Sequence, residues 1–375
     1  MSKTLKAYRR ELHQIPEIGF DLFKTSRYLY DALTSMGYEP IQMAKTGWVI
    51  AKQGKSDQAI LFRTDMDALP VKEETDVSFK SQHEGSMHAC GHDGHMSMML
   101  GFAAYVSTLT HLEKTIVMIF QPAEEGPGGA KVMIEEGLFK RYQIEAVYGI
   151  HLYPGLLEGL YGLVDGPMMA QNGEFDLVIK GKSAHGAMPH QGSDAMIAAS
   201  QLISSYQSII SRNLNPLDAG VITVGKIMGG EARNIIAKEV FMSGTIRAFK
   251  PSVYHMMKER IHQIDQGISQ AFHVEIINDI KDYYPPVIND HHLFESLKYA
   301  LQPSEYKLIE PMTVSEDFAF YQQHVPGVFV MLGSRNEKKG YIHPLHSCFF
   351  NFDEVILEKG VKLYQTILKI HHVIS

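Results

Sequence analysis

Short apolar runs alternate with helix-forming stretches over the first 150 residues, and this alternation is the strongest constraint on the fold. The apolar runs cover 48–51, 59–62, 115–120 and 146–150, with helical patterns at 96–109 and 129–139. Apolar runs of this length, set between helices, are typical of strands buried in a parallel sheet. We therefore predict an α/β fold whose mostly parallel sheet carries helices on both faces.

The pattern changes at about residue 174, where the order of elements becomes β-α-β-β-α-β. This order is typical of a ferredoxin-like α+β domain. Its predicted elements are strand 174–180, helix 195–212, strands 221–227 and 239–249, helix 252–272 and strand 273–278. Beyond residue 286 the α/β character returns. We therefore predict a discontinuous larger domain, 1–172 and 286–375, that carries an inserted smaller domain, 173–285.

Composition excludes several classes of protein. Lys and Arg number 35 against 42 Asp and Glu, which gives a net charge of −7 and argues against a nucleic-acid binder. No apolar run approaches the roughly 18 residues that span a bilayer, and the first twelve residues lack the apolar region of a secretory signal. Two cysteines, Cys90 and Cys348, are too few for a disulfide framework, so we expect a cytoplasmic protein.

Metal-ligating residue types are densest in the segment MHACGHDGH, 87–95. A thiolate at Cys90, two residues from the imidazole of His92, suits a borderline divalent metal ion. The alternative is a histidine-rich loop beside a buried cysteine.

A second cluster, QPAEEGPGGA at 121–130, follows the strand predicted at 115–120. Glu124 and Glu125 are adjacent on a turn braced by Pro and Gly, so one carboxylate can bind a metal while the other acts as general base. The alternative is a solvated acidic turn. His151, His346 and Asp65 also follow predicted strands, where polar side chains can equally cap helices.

Seven motifs occur in an order and at distances that resemble one known family. They are RTDMDALP, MHACGHDGH, QPAEEGPGGA, the step from His151 to Pro154, GKSAHGAMPH, SEDFAFY and HPLHS. Together they resemble the amidohydrolase branch of the dinuclear aminoacylase/carboxypeptidase metallopeptidases. This branch includes hippurate hydrolases, N-acyl amino acid amidohydrolases and N-acetyldiaminopimelate deacetylases.

The resemblance implies roles for residues of the larger domain. It implies two divalent ions per subunit (zinc, manganese, nickel or cobalt) and makes Glu124 the proton acceptor. Asp65 matches the active-site aspartate of the family, and Arg63 stands where other branches carry a metal-binding histidine. Asp65 is expected to orient a ligand, a task for which Asp67 is the rival. The implied metal ligands are Cys90, His92, Glu125, His151 and His346.

The resemblance also makes the inserted domain a lid through which two subunits form a homodimer. His185 is implied to hold the substrate carbonyl, within its own subunit or across the interface. Asn234 and Arg247 are implied to bind the substrate carboxylate, for which a guanidinium group is geometrically suited. The alternative is that these polar groups cap strand ends.

The function implied is that of a metal-dependent amidohydrolase that acts on a small molecule and engages neither nucleic acid nor membrane. Its substrate would be an N-acyl amino acid such as an N-acetyl amino acid, N-acetyldiaminopimelate or a hippurate-like compound. Two alternatives stay open: a metallo-di- or carboxypeptidase of the same superfamily, and a metal-binding protein without catalysis.

Overall fold

A computed structural model describes residues 3–374, which form two compact units. The first unit comprises 3–166, 288–310 and 317–374, and the second comprises 167–287 and 311–316. Within residues 3–374, no helix combines the length and the apolar character needed to cross a membrane.

The helices and strands of both units are numbered in chain order. The helices are α1 (Leu5–His13), α2 (Phe23–Ser35), α3 (His92–Ser107), α4 (Gly129–Glu135), α5 (Leu138–Arg141), α6 (Ala195–Ser208), α7 (Pro251–Phe272), α8 (His291–Ala300), α9 (Ala319–Gln322) and α10 (Leu357–Ile370). The strands are β1 (Ile41–Met43), β2 (Gly47–Lys52), β3 (Ser56–Asp65), β4 (Lys114–Gln121), β5 (Gln143–Leu157), β6 (Tyr161–Leu163), β7 (Gly166–Met169), β8 (Gln171–Lys180), β9 (Gly220–Gly229), β10 (Glu239–Ala248), β11 (Glu275–Asp282), β12 (Val287–Asn289), β13 (Tyr306–Leu308) and β14 (Gly327–Arg335).

The sheet of the first unit has eight strands in the order β1-β2-β4-β3-β5-β14-β6-β13. Its four central strands, β4, β3, β5 and β14, are parallel to one another, and three of them contain the apolar runs 59–62, 115–120 and 146–150. Antiparallel pairs join β1 to β2, β2 to β4 and β14 to β6. The predicted α/β class with a mostly parallel sheet is therefore confirmed.

Helix α3 crosses the core of the first unit and is buried along most of its length. Close packing explains its small residues, because a Cβ at Gly101 would lie 2.3 Å from a methyl group of Leu5 on α1. Phe62 of β3 packs against Phe102 of α3 and Tyr364 of α10. This packing fixes α3 against β3 and α10.

The second unit has a four-stranded antiparallel sheet in the order β11-β8-β10-β9. With the connecting helices α6 and α7 this is the ferredoxin-like arrangement predicted from the β-α-β-β-α-β order. Phe175, Leu177 and Ile179 alternate along β8 on the buried face, where they join residues of α6 and α7 in one core.

In three of the predicted elements a local change of backbone conformation interrupts or shortens the element. The helix predicted at 129–139 is broken at Gly137, whose φ of 100° is incompatible with a continuous α-helix. The helix predicted at 195–212 changes to a π-helix at Ile209–Asn213. The strand predicted from residue 273 begins at Glu275, because His273 adopts a left-handed conformation that ends α7.

A buried polar network joins α6, α7 and β11 inside the second unit. The Tyr206 hydroxyl and the Asn278 side-chain amide, the latter at 2.8 Å, both donate to the carboxylate of Asp265. Burial raises the pKa of Asp265, while these two hydrogen bonds oppose the increase. The network therefore stabilises a charge that the core by itself disfavours.

Removing the tyrosine hydroxyl should destabilise the protein. We expect Tyr206→Phe to lower the free energy of unfolding by about 1–3 kcal/mol, because Asp265 loses a buried donor. Tyr299, whose side chain is 94% exposed, provides the control, and Tyr299→Phe should stay within about 0.5 kcal/mol of the wild type. Urea denaturation of both variants measures the difference, and equal midpoints would contradict the stabilising role of the network.

Candidate metal centre

The carboxyl ends of three parallel strands bring the predicted site together. Asp65, the last residue of β3, pairs in register with Gln121, the last residue of β4. On the other side of β3, Arg63 pairs with Gly149 of β5. Asp65 on β3 and His151 on β5 each follow this pair by two residues, so they lie at the same level of the sheet. Open α/β sheets build their sites at this edge, because successive strand ends deliver side chains to the same place.

Cys90 and His92 reach this edge through a tight turn at Gly91. Gly91 has a φ of 87°, and a Cβ there would approach a side-chain carbon of Leu152 to 2.9 Å. The left-handed backbone conformation favours glycine at this position. The turn starts α3 at His92 and places the imidazole next to β5.

The five predicted ligands lie together. The Sγ atom of Cys90 is 3.4 Å from Nε2 of His151, and donor atoms of Cys90, His92 and Glu125 are all within 4.8 Å of one another. Oε1 of Glu125 is 3.9 Å from Nε2 of His92 and 3.3 Å from Nε2 of His346. We call Cys90, His92, Glu125, His151 and His346 the ligand cluster.

Hydrogen bonds orient two of its histidines. Nδ1 of His92 donates to the main-chain carbonyl of Asp67 at 2.8 Å, and Nδ1 of His151 donates to the carbonyl of Leu152 at 2.7 Å. Because a carbonyl can only accept, each neutral imidazole keeps Nε2 deprotonated and directed at the cluster. This is the arrangement that metal-binding histidines adopt in proteins.

Unpartnered buried atoms show that the cluster fits a cation. As far as the described residues 3–374 extend, Nε2 of His92 and Oε1 of Glu125 are buried without a hydrogen-bond partner. Buried polar atoms are normally satisfied, so two acceptors aimed at the same place call for a positively charged ligand. Thiolate, imidazole and carboxylate together suit a divalent transition metal.

The electrostatics of the cluster lead to the same conclusion. Burial alone would lower the pKa of His92, but the carboxylates of Asp65, Asp67 and Glu125 outweigh it and raise this pKa to about 10. Burial and nearby carboxylates hold the pKa of Cys90 well above its usual range. The carboxylates therefore attract positive charge to this place. A proton on Nε2 of His92 supplies that charge when no cation is bound, and a divalent cation would replace the proton and leave Nε2 as an acceptor.

Asp65 lies beside the cluster and is held by two other side chains. Its Oδ1 accepts from Nδ1 of His95 at 2.7 Å, and its Oδ2 accepts from Nη1 of Arg63 at 2.7 Å. Oδ2 is also 3.8 Å from Nε2 of His92. The buried Arg63 guanidinium donates in addition to Asp317 at 2.8 Å. Asp65 therefore borders His92 while both of its oxygens are hydrogen-bonded.

Asp67 contacts the turn that carries the two glutamates. Its Oδ1 accepts from the backbone N–H of Glu124 and its Oδ2 from that of Glu125, each at 3.0 Å. The turn also requires Gly129, where a Cβ would lie 1.8 Å from the carbonyl oxygen of Pro122. Glu124, the predicted general base, is thereby fixed next to Glu125, a predicted ligand, and is 7% exposed.

His185 and Asn234 lie on neighbouring loops of the second unit. The N–H of Gly186 donates to the carbonyl of Asn234 at 2.8 Å, and His185 forms a β-bridge with Ile235. Nδ1 of His185 accepts from the N–H of Ala187 at 3.1 Å, so the neutral ring carries its proton on Nε2. His185 can therefore donate a hydrogen bond to a substrate oxygen.

Arg247 lies at the opposite end of the same sheet. It pairs with Asn172 of β8, whereas the loops of His185 and Asn234 leave the sheet where Glu239 pairs with Lys180. The eight residue-to-residue steps from Glu239 to Arg247, at about 3.4 Å each, span about 27 Å. The structure therefore brings two of the three predicted substrate-binding residues together and keeps the third apart.

Two contributors to the site were missed by the sequence analysis. His95 links Asp65 to β5, since its Nε2 accepts from the N–H of Leu152 at 2.9 Å. Its spacing of three residues from His92 places both on one helix face, a signal that could have identified it. The buried contact between Arg63 and Asp317 joins residues 254 positions apart, and no local pattern reveals it.

Comparisons with known proteins agree with this geometry. The N-acetyldiaminopimelate deacetylase of Priestia megaterium is 39% identical over 335 residues, which is 88% of this chain and 89% of the relative. A structure from methicillin-resistant Staphylococcus aureus superimposes with a TM-score of 0.93 at 31% identity, covering 99% of this chain and 96% of the other. The YXEP protein of Bacillus subtilis, described as a dinuclear metal binding peptidase of the M20 family, has a TM-score of 0.85 at 30% identity, covering 98% and 97%.

The sequence profile that describes peptidase family M20/M25/M40 matches residues 61–370 of this chain. This range includes all five members of the ligand cluster. This chain therefore belongs to peptidase family M20/M25/M40.

Proposed function

We propose that the protein is a metal-dependent amidohydrolase that releases amino acids from their N-acyl derivatives. The main support for this proposal is the ligand cluster, in which the buried Nε2 of His92 and Oε1 of Glu125 lie close together. The residue before Glu125, Glu124, supplies a separate carboxylate. Five ligands around one space suit two divalent ions, and the B. subtilis relative is described as dinuclear. Among N-acyl amino acids we place N-acetyldiaminopimelate first, because the Priestia deacetylase is similar over most of both chains.

The residues of this chain have distinct tasks in the proposed reaction. Cys90, His92, Glu125, His151 and His346 would hold the divalent ions. When bound, divalent cations acidify a water molecule and polarise an amide carbonyl. Glu124 accepts a proton from the attacking water molecule while the oxygen of that water bonds to the carbonyl carbon. Glu124 then delivers the proton to the amide nitrogen as the C–N bond breaks, which yields a carboxylic acid and a free amino acid.

The polar residues of the second unit are proposed to bind the substrate. Nε2–H of His185 donates to the carbonyl oxygen, where negative charge develops during attack. Asn234 and Arg247 bind the carboxylate of the amino acid, Arg247 through its planar guanidinium. For Asp65 we propose an orienting role, since its carboxylate borders His92 and is held by Arg63 and His95.

We further propose that the second unit acts as a lid and forms a homodimer. An N-acetyl amino acid spans about 7 Å, the length of two extended residues. It cannot reach from Arg247 to the opposite end of the same sheet, about 27 Å away, where the loops of His185 and Asn234 begin. The outer strand β9 exposes Val221, Ile227 and Met228, and such edges are surfaces for pairing. His185 and Asn234 of one subunit would then serve the substrate that Arg247 of the partner binds. A reducing compartment such as the cytoplasm suits the Cys90 thiolate.

A substrate panel tests the proposed reaction. We expect hydrolysis of N-acetyldiaminopimelate, N-acetyl amino acids or hippurate that is abolished by a chelator and restored by zinc, manganese, nickel or cobalt. Preferential cleavage of a dipeptide would favour the di- or carboxypeptidase alternative. Turnover that persists in metal-free protein, checked by elemental analysis, would overturn the proposal.

The general base is tested with Glu124→Gln, which keeps the shape of the side chain but cannot accept the proton. We expect kcat to fall about 10²–10⁴-fold while the metal content stays that of the wild type. Glu113→Gln, an exposed glutamate of the first unit, is the matched control and should keep full activity. An unchanged kcat in Glu124→Gln would remove the base from the mechanism and favour another acceptor.

The two cysteines provide a test of the ligand cluster. Cys90→Ala should lower both bound metal and turnover, because its sulfur lies among the donor atoms of His92, Glu125 and His151. Cys348→Ala should leave both quantities unchanged, since the cluster does not include that thiol. Elemental analysis and activity assays measure the outcome, and full metal occupancy in Cys90→Ala would contradict the assignment.

Mixing two inactive variants tests the shared site. His185→Ala and Arg247→Ala should each lose most of the activity. After random subunit exchange, half of the dimers contain one subunit of each variant. In such a dimer, one of the two sites combines a native His185 with a native Arg247. We therefore expect about a quarter of wild-type activity. Absence of any recovery in verified mixed dimers would assign His185 and Arg247 to sites within one chain.

A further inference from the structure

Asp67 connects ligand-bearing segments that are far apart in the sequence. Its carbonyl accepts from Nδ1 of His92, and its carboxylate accepts from the N–H groups of Glu124 and Glu125, 57 and 58 residues away. The side chain is 1% exposed, so no solvent competes for these hydrogen bonds. Asp67 therefore contacts three residues of the site. It binds the imidazole of His92 through its carbonyl, and the backbone of Glu124 and of Glu125 through its carboxylate.

The backbone around Asp67 is held firmly enough to act as a reference point. Ala68 donates to the carbonyl of Glu17 at 2.8 Å. Leu69 and Met87 exchange two backbone hydrogen bonds of 3.0 Å, which tie this segment to the loop that leads into Cys90. Movement of Asp67 relative to the cysteine loop is therefore restricted.

The turn that carries Glu124 and Glu125, called the glutamate turn below, needs such an anchor. Ala123, just before Glu124, has a φ of 59°, a left-handed conformation that a residue with a Cβ seldom adopts. Conformations of this kind persist where the surrounding structure imposes them. The carboxylate of Asp67 accepts the two N–H groups that directly follow Ala123, so it holds the turn in the orientation that presents Glu124 and Glu125.

Asp65 cannot perform this task in its place. Both of its carboxylate oxygens accept from side chains, those of His95 and Arg63. The two aspartates of RTDMDALP therefore face different partners, with Asp65 directed at the imidazole–guanidinium pair and Asp67 at the glutamate turn.

We propose that Asp67 is the positioning residue that couples metal binding to proton transfer in this site. It sets the direction of Nε2 of His92 and of the Glu125 carboxylate, and through the same turn the position of Glu124. This inference rests on the proposed function of the ligand cluster. It predicts that one substitution at Asp67 changes both the geometry of the bound ion and kcat.

Asp67→Asn tests this role, because an amide can accept only one of the two N–H groups and presents its NH₂ to the other. The variant keeps the main-chain carbonyl that orients His92. Cobalt is the probe: its visible absorption and its thiolate-to-cobalt charge-transfer band report the geometry of the bound ion. We expect altered band positions or intensities, a dissociation constant for Co²⁺ that rises about 10–100-fold, and a comparable fall in kcat with KM changed much less.

Asp265→Asn in the second unit is the matched control, since Asp265 is also buried and also accepts two hydrogen bonds. It makes the same chemical change outside the ligand cluster and should leave the cobalt spectrum and the affinity for Co²⁺ unaltered. A residue with a merely structural role would shift the unfolding temperature without changing the spectrum of folded, cobalt-loaded protein.

Wild-type cobalt spectrum, affinity and kcat in folded Asp67→Asn would overturn the inference. Should this variant not fold, Asp67→Glu keeps both acceptor oxygens and displaces them by one methylene. It should still shift the cobalt bands, and wild-type bands there would equally overturn the role. If the wild type cleaves no substrate of the panel, the proposed reaction fails, while the cobalt measurements still decide the role of Asp67.

Discussion

The register of the central parallel strands is the constraint on which the site depends. Because β4, β3, β5 and β14 run in the same direction, their carboxyl ends share one edge, and Asp65 and Gln121 are register partners there. The glutamate turn leaves β4 at this edge, β5 carries His151 past it, and α3 begins beside it. A shift of one residue in any of these pairings would turn the corresponding side chains to the other face of the sheet.

Buried charge is distributed unevenly around this edge. Arg63 lies between Asp65 and Asp317 and forms an ion pair with each carboxylate. Cys90 and Glu125 have no comparable guanidinium among the contacts seen in residues 3–374, and the pKa of the neighbouring His92 is raised by the surrounding acids. Burying charge is unfavourable unless an opposite charge is present, so the cluster is arranged to be completed by a cation. The fold thus separates acids that are paired with a guanidinium group from acids that face the ligand cluster without one.

Asp65 and Asp67 show how closely spaced residues acquire different surroundings. They are two positions apart, yet the first is held by His95 and Arg63 and the second accepts the N–H groups of Glu124 and Glu125. The second unit separates its polar residues in a similar way, with His185 and Asn234 at one end of a sheet and Arg247 at the other. In both cases the tertiary structure divides what the motifs present as one group.

Local periodicity was sufficient for the larger elements, because helical and strand patterns depend on residues within a few positions of one another. The central strands, the ferredoxin-like order and the polar residues after each strand were predicted in this way. The three-residue strands β1, β6, β12 and β13 were not predicted, since so short a segment carries too little pattern and is specified by its neighbours in the sheet.

The sequence by itself determined the fold class, the order of elements and the residue types available for chemistry. Tertiary structure alone decided which of them meet: His346 with Glu125, His151 with Cys90, and Asp67 with a turn 57 residues away. The physical reason is that hydrogen bonds and ion pairs across such separations depend on strand register and helix packing. These are set by the whole core and leave no periodic trace in the chain.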